Sequence, residues 1–296
     1  MWFRFLSVSI ALLLGSVAGQ AQDDDREGGI IGTGISGTIT ALGSIYVNGQ
    51  HILYDDGLAV TGGLGVARAP DLVPGHTVAV VAVPDGEAWR ARNIRQVLPL
   101  VGPVMLEGGE VLIMGTKVVM PADAVPPAPG EWLAVSGLWR GDEVVATRVD
   151  ALPDGERIAM VSGTYLGAVN GRTMVGGTRI GGIEPRHLEP GDTVRVYGSP
   201  AGDGLSAVRL EKGLFDGEVG LVQVEGYYSP PQPDGLYSVL GSGLVAYTDQ
   251  PGMIDPGERV LRCGAEGQLD YYTDGSPLTG VTTPELARRL MCVPPG

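Results

Sequence analysis

Three groups of residues in this chain have the types and spacing to do chemistry. The first is a cluster of tyrosines: Tyr227, Tyr228, Tyr237, Tyr247, Tyr271 and Tyr272, six of the ten in the chain, fall in its last quarter. An exposed tyrosine ring stacks on a sugar or anchors a protein interface. Tyr227, Tyr228, Tyr271 and Tyr272 are therefore the candidate binding residues. Adjacent tyrosines on a strand point to opposite faces, so only about half of them can be exposed together. The competing reading is that they fill a small core in a chain with only three phenylalanines. The second group is Cys263 and Cys292, the only two cysteines. In an oxidising compartment an isolated even pair reads as one disulfide, against the alternative of two separate buried thiols. The third is the supply of 34 acidic residues, which leaves room for a glycosidase-like carboxylate pair although no pair stands out.

The remaining motifs favour structure over chemistry. Gly32-Thr33-Gly34-Ile35-Ser36-Gly37 matches G-x-G-x-x-G by letter, but a dinucleotide site needs a strand before it and a helix after it. Here a charged stretch precedes and a β-hairpin follows, so no cofactor is expected. Ser36, Ser162 and Ser242 lack the paired glycines of a hydrolase elbow. His51, His76 and His187 have no neighbouring ligand, and neither C-x-x-C nor H-E-x-x-H occurs, so no metal is expected. Pro84-Asp85-Gly86, Pro153-Asp154-Gly155 and Pro233-Asp234-Gly235 read as tight turns, with weak calcium contact as the alternative. Arg148 and Arg209 occupy one offset in two copies of a repeat, where they can bridge copies or form a ridge. With no nucleophile or acid–base pair in evidence, the chain is not expected to be an enzyme.

That repeat is the element that must position everything else. Four copies open with glycine before an apolar residue, at Gly37, Gly102, Gly163 and Gly226. A turn glycine follows with an aliphatic three residues on: Gly49/Ile52, Gly115/Val118, Gly177/Ile180, Gly241/Leu244. Pro-Gly comes next with the same offset: Gly75/Val78, Gly130/Leu133, Gly191/Val194, Gly257/Val260. Three copies close with Ala91/Ile94, Ala146/Val149 and Ala207/Leu210; the fourth loses the alanine. A period near 60 residues means a tandem array of small domains, with the atypical last copy as a cap. Asn48-Gly49 between alternating runs is a hairpin signal, because a type I′ turn needs positive φ at both central residues. About five short strands per copy predict an all-β fold: a tandem array of five-stranded, OB-like, partly open barrels. Thr283-Pro284-Glu285 starts a short C-terminal helix, with Thr as N-cap and Pro at N1.

Length, charge and the first residues bound the setting. Residues 1–21 read as a secretory signal peptide: Arg4, an apolar stretch from Leu6 to Leu14, and a small-residue end at Ala21. Residues 22–29, with Asp23-Asp24-Asp25, form an acidic tether. The expected domains are 30–98, 99–158, 159–217 and 218–296. Net charge is −14, and losing Arg4 with the signal leaves 19 basic residues against 34 acidic, or −15. That sign disfavours nucleic acid and anionic membrane and leaves cations and basic proteins as partners. No later stretch is apolar for long enough to span a bilayer.

Gly37-Thr38-Ile39-Thr40-Ala41-Leu42-Gly43-Ser44-Ile45-Tyr46-Val47-Asn48-Gly49, with the closing Ala-x-Arg-Val of Ala146 to Val149, resembles the bacterial family called domain of unknown function 5666. The resemblance runs over roughly residues 34–212. It implies exported β-domains and carries no catalytic residues. The expected function is a non-enzymatic binding or scaffold module of the cell envelope, periplasmic or secreted, with an envelope protein or polysaccharide as partner and the fourth copy as its contact surface. The alternative is a hydrolase of envelope glycans.

Overall fold

The computed structural model describes residues 31–153, 155, 157–169, 172–184, 186–269 and 284–292. The expected signal and tether lie outside the described residues. Twenty-one strands and one short α-helix make the described chain nearly all β.

Each repeat closes its hydrogen-bond ladder on itself. In the first, β1 (Gly32–Leu42), β2 (Ile45–Val47), β3 (Gln50–Leu53), β4 (Val60–Thr61), β5 (Thr77–Asp85) and β6 (Ala88–Gln96) follow in order. β1 pairs with β2 and β2 with β3; β3 runs parallel to β6, β6 pairs with β5, and β5 returns to β1. β4 adds to the far end of β6. The second repeat has β7 (Leu100–Glu107), β8 (Glu110–Ile113), β9 (Thr116–Val119), β10 (Trp132–Arg140) and β11 (Glu143–Ala151), joined by the same circuit with β9 and β11 parallel. The third has β12 (Ala159–Val169), β13 (Arg172–Val175), β14 (Thr178–Gly181), β15 (Thr193–Ala201) and β16 (Gly204–Lys212), again closed. In the fourth, β17 (Val219–Tyr227), β18 (Leu236–Val239), β19 (Leu244–Tyr247), β20 (Arg259–Ala265) and β21 (Gln268–Leu269) repeat the order. Its last seam is a single bridge between Tyr228 and Val239. The strand circuit is that of the expected OB-like barrel, complete in three repeats and held by one bridge at the last seam of the fourth. Closure satisfies the edge backbone groups that an open sheet would leave to water or to other chains.

The repeat's aliphatic positions are the inside of these barrels. Ile52, Val118, Ile180 and Leu244 are buried, as are Val78, Leu133, Val194 and Val260. Alternation on a strand sends residue i inward and i+1 outward, so a fixed offset from each turn fixes which face is core. Asn48 and Gly49 have φ of 54° and 77°, the signature expected of the type I′ hairpin.

The four barrels close into a quartet instead of a line. Barrels two and three join through β7 and β12, which pair antiparallel with Leu100 opposite Val161. Barrels one and four join through β1 and β17, which pair in parallel with Ser36 opposite Val224. The Thr38 amide then donates to Glu225 Oε2 at 2.9 Å. Barrel one meets barrel two where Thr147 Oγ1 donates to the Gly75 carbonyl at 2.6 Å. Barrel three meets barrel four where the Gly241 amide donates to Thr164 Oγ1 at 2.7 Å. A cavity of about 30 Å³ at the hub is lined from all four barrels, including Ser36, Gly137, Ser162 and Glu225.

Two turn glycines are explained by this packing. A Cβ on Gly177 would strike the carbonyl of Asp142 in the β10–β11 turn, and one on Gly115 would meet the carbonyl of Asp203 in the β15–β16 turn at 2.6 Å. The contacts are reciprocal, as a local two-fold between barrels two and three requires.

The terminal helix α1 (Pro284–Arg289) packs on barrel one while Gln223, donating to the Leu290 carbonyl, and the Cys263–Cys292 bond tie it to barrel four. Ala287 and Leu290 are fully buried in barrel one's core. Arg289 lies 4.8 Å above the Trp89 ring and donates to the Ala88 carbonyl. A six-residue helix has no stability of its own, so this docking creates it. The fourth repeat is therefore no cap on an array; it pairs with the first and sends its tail across it.

Candidate functional site

The structure places the candidate tyrosines differently from their sequence reading. Tyr227 and Tyr228 are each only 7% exposed, so neither offers a ring to a ligand. They do point to opposite faces, but both faces are covered. Tyr228 packs inside barrel four against Tyr237, edge-on at 5.4 Å between ring centroids. Tyr227 turns toward barrel two, where the Arg140 guanidinium lies 5.8 Å from its ring centre. Tyr271 and Tyr272 lie outside the described residues. Cys263 on β20 and Cys292 just beyond α1 are bonded, with their Cα atoms 5.6 Å apart.

The outer face of the β18–β19 hairpin forms the floor of a groove of about 540 Å³. Leu236, Ser238 and Val245 supply that floor together with Tyr237, which also packs into the core of barrel four beside Ala246. One wall is the β17–β18 connection, with Ser229, Pro230 and Gln232. The opposite wall comes from Leu166 and Gly191 of barrel three and the Gly141-Asp142 turn of barrel two. Three barrels thus build one concavity, of a size ordinary for a ligand site. In OB-type barrels the second and third strands and the loop between the first two form the binding face, and this groove occupies those elements of barrel four. Tyr247 sits at its mouth, opposite Leu236 on the neighbouring strand and 68% exposed.

The floor strand has no free backbone edge. The Leu236 carbonyl accepts the Gln232 amide at 2.8 Å, and the Ser238 carbonyl accepts the Ser229 amide at 2.8 Å. The Ser238 amide donates to Ser229 Oγ at 3.0 Å. The groove therefore receives side chains and not an added strand. Leu166, Leu236, Leu240 and Val245 give the lining its aliphatic patches among glycine and polar residues, and Asp142 is the one charged residue in it among the described residues. Asp234, two residues before Leu236 in the β17–β18 connection, accepts the Leu236 amide on Oδ1 at 3.1 Å.

A second groove of about 430 Å³ lies between Pro74 and the 121–127 loop of barrel two. It contains Asp123 and Glu131, but Glu131 Oε2 is occupied by the Ala128 amide at 2.9 Å, closing a local turn. Beside it, Arg148 makes a two-pronged contact to Asp150, at 2.9 Å from Nε and 2.5 Å from Nη2. His76 of barrel one is buried, its Nδ1 accepting the Val73 amide at 3.2 Å. Its Nε2 therefore carries the hydrogen and faces Asp150 at 3.3 Å. Burial pushes the Asp150 carboxyl up, but the hydrogen bonds from His76 and Arg148 outweigh it and hold the group below the ordinary carboxylate value. Arg209 has the matching partner, Glu211, and lies 4.0 Å over the Tyr197 ring. Both arginines thus pair with a carboxylate of their own strand, and His76–Asp150 joins the Thr147–Gly75 bond between barrels one and two.

His51 stacks on Tyr46 at 4.6 Å, and His187 is exposed. Among the described residues no group of three His, Cys, Asp or Glu side chains is arranged to hold a metal ion. No helix among them is long and apolar enough to cross a membrane.

The sequence reading missed Leu236 and Val245, and named Tyr247 in the tyrosine cluster without choosing it as a binding residue. Their signal was the alternation in Leu244–Tyr247, which places Val245 and Tyr247 on one outer face. What that face meets depends on barrels two and three, which alternation does not encode.

The fold and groove define an all-β protein of closed five-stranded barrels with a cleft between them. Residues 36–95, nearly all of barrel one, match the family model described as domain of unknown function (DUF5666). Neither a curated protein nor a solved structure matches the chain.

Proposed function

We propose that this chain is an exported, non-enzymatic binding or scaffold module of the bacterial cell envelope that engages a protein partner through the groove of barrel four. The observation that carries this reading is the groove itself: a concavity of about 540 Å³ on the β18–β19 face, walled by three barrels, with Leu166, Leu236, Leu240 and Val245 as its aliphatic contacts. Sugar rings stack on exposed aromatic faces; among the described residues Tyr237 lines the groove but is buried, and Tyr247, opposite Leu236, is the strongly exposed aromatic near it. An apolar side-chain cluster from a protein suits the lining better. Export rests on the signal-like first residues. A glycan hydrolase would need a facing carboxylate pair, and the groove lining supplies Asp142 alone.

Capture from envelope extract, with and without Leu236→Arg, tests the reading. Truncating barrel four is a poor test, because it would strip β17 from β1. The proposal expects Leu236→Arg to lose a protein partner that wild type retains, with no glycan bound on an array. Equal capture by both proteins overturns it, and turnover of any glycan favours the hydrolase.

A further inference from the structure

Resting on that reading, we infer that the groove's partner is an extended cationic segment carrying an apolar anchor, docked by its side chains. The floor is apolar, with Leu236 and Val245 presented outward and Leu166 and Pro230 on the walls. Its two flanks are acidic. Asp142 projects from the barrel-two turn and is exposed, and no described residue forms an ion pair with it. Asp234 stands on the opposite side, in the β17–β18 loop, tied to Leu236 by a backbone hydrogen bond. No basic residue is in the lining among the described residues. Tyr247, at the mouth, adds an exposed ring face that attracts a Lys or Arg head group. The chain as a whole carries −14, so encounter with a cationic partner is favoured before contact is made.

The mode of docking follows from the floor strand. Leu236 and Ser238 already spend their outward-facing backbone groups on Gln232 and Ser229. A partner cannot extend the sheet here, so its specificity must come from an anchor in the apolar floor and charges beside it. An acidic or purely apolar segment would place nothing opposite Asp142 and Asp234. It would still lose water from both carboxylates.

Isothermal titration of the full chain tests this with two hexapeptides: a Leu-Phe core flanked by lysines, and the same core flanked by glutamates. The lysine peptide is expected to bind, and the glutamate peptide to bind at least about 5-fold more weakly at low salt. That gap should narrow as ionic strength rises from about 0.01 M to 0.15 M and the Debye length contracts from roughly 30 Å to 8 Å. Asp142→Lys, at an exposed turn, should weaken the lysine peptide and not the glutamate one. Leu236→Arg should lose both, and Tyr247→Ala, which removes only an exposed ring, should weaken the lysine peptide without changing the melting temperature. Equal binding of the two peptides, binding of neither, or indifference to Asp142→Lys overturns the inference. If envelope capture still depends on Leu236 in that event, the binding-module reading survives and only the partner's chemistry was wrong.

Discussion

Thr116 and Thr178 occupy the same position in barrels two and three, and their hydroxyls share a hydrogen bond of 2.6 Å. Both are buried, at 1% and 0% exposure. The bond therefore sits at the local two-fold that relates β7 to β12 and the Gly115 contact to the Gly177 contact. Each hydroxyl is the other's partner, so the pair is vulnerable in a specific way. Thr116→Val or Thr178→Val alone is expected to cost about 1–3 kcal/mol, because one buried hydroxyl is orphaned. The double variant should cost clearly less than the sum. Urea denaturation of all four proteins measures the coupling, and strict additivity would exclude the bond.

Gly115 tests the close approach separately from backbone strain. Gly115 and Gly109 have similar positive φ, 76° and 87°, but a Cβ on Gly109 meets open space. Gly109→Ala should cost about 1 kcal/mol from conformation alone. Gly115→Ala should cost a further ~1–3 kcal/mol as the Asp203 turn is pushed away. Equal losses in denaturant melts would show that the turn gives way freely.

Asp150 makes the joint between barrels one and two sensitive to acid. Its folded carboxyl lies below the ordinary value, against the opposing effect of burial, because His76 and Arg148 favour the ionised form. A depressed carboxylate stabilises above its unfolded pKa of about 3.9 and loses that contribution as pH falls through the lower folded value. Wild type should therefore melt above Asp150→Asn at neutral pH, with the gap closing below about pH 4. A gap that persists undiminished at pH 2 would contradict this.

The Cys263–Cys292 bond closes a loop with a separation of 29 residues, which in the chain-entropy model stabilises by about 3–4 kcal/mol. Cys263→Ser with Cys292→Ser should lose most of that amount. It should also loosen the tail first, since Leu290 and Ala287 are seated in barrel one and Arg289 covers Trp89. Acrylamide quenching of tryptophan fluorescence should rise in the double variant below its main melting transition. Unchanged quenching would mean that the helix holds without its bond.

The interior of each barrel was legible because it is local. The turn-to-aliphatic offset that names Ile52 also names Val118, Ile180 and Leu244, and all four are core. The all-β class, the cysteine pair and the terminal helix were readable for the same reason: each rests on residues near one another or on an elimination among two cysteines. The quartet was not readable. Nothing in the spacing of Ser36 says that it will lie beside Val224, or that Arg140 will cover Tyr227. Outward faces carry short, mixed residues whose partners are set by how rigid barrels fit together. The groove, which is made of such faces, was hidden with them.

The pairing of β1 with β17 also sets an order in time. β1 is made near the start of the chain, while its parallel neighbour begins at Val219. Until that stretch exists, β1 has β2 and β5 beside it but lacks its parallel neighbour along Gly32–Ser36, and the first barrel's core lacks Leu221, Ala265, Ala287 and Leu290. Contacts so distant in sequence form slowly, because the loop must close before it is rewarded. The earliest barrel to be synthesised is thus the last to be finished, and a growing chain must guard that seam until its own end arrives.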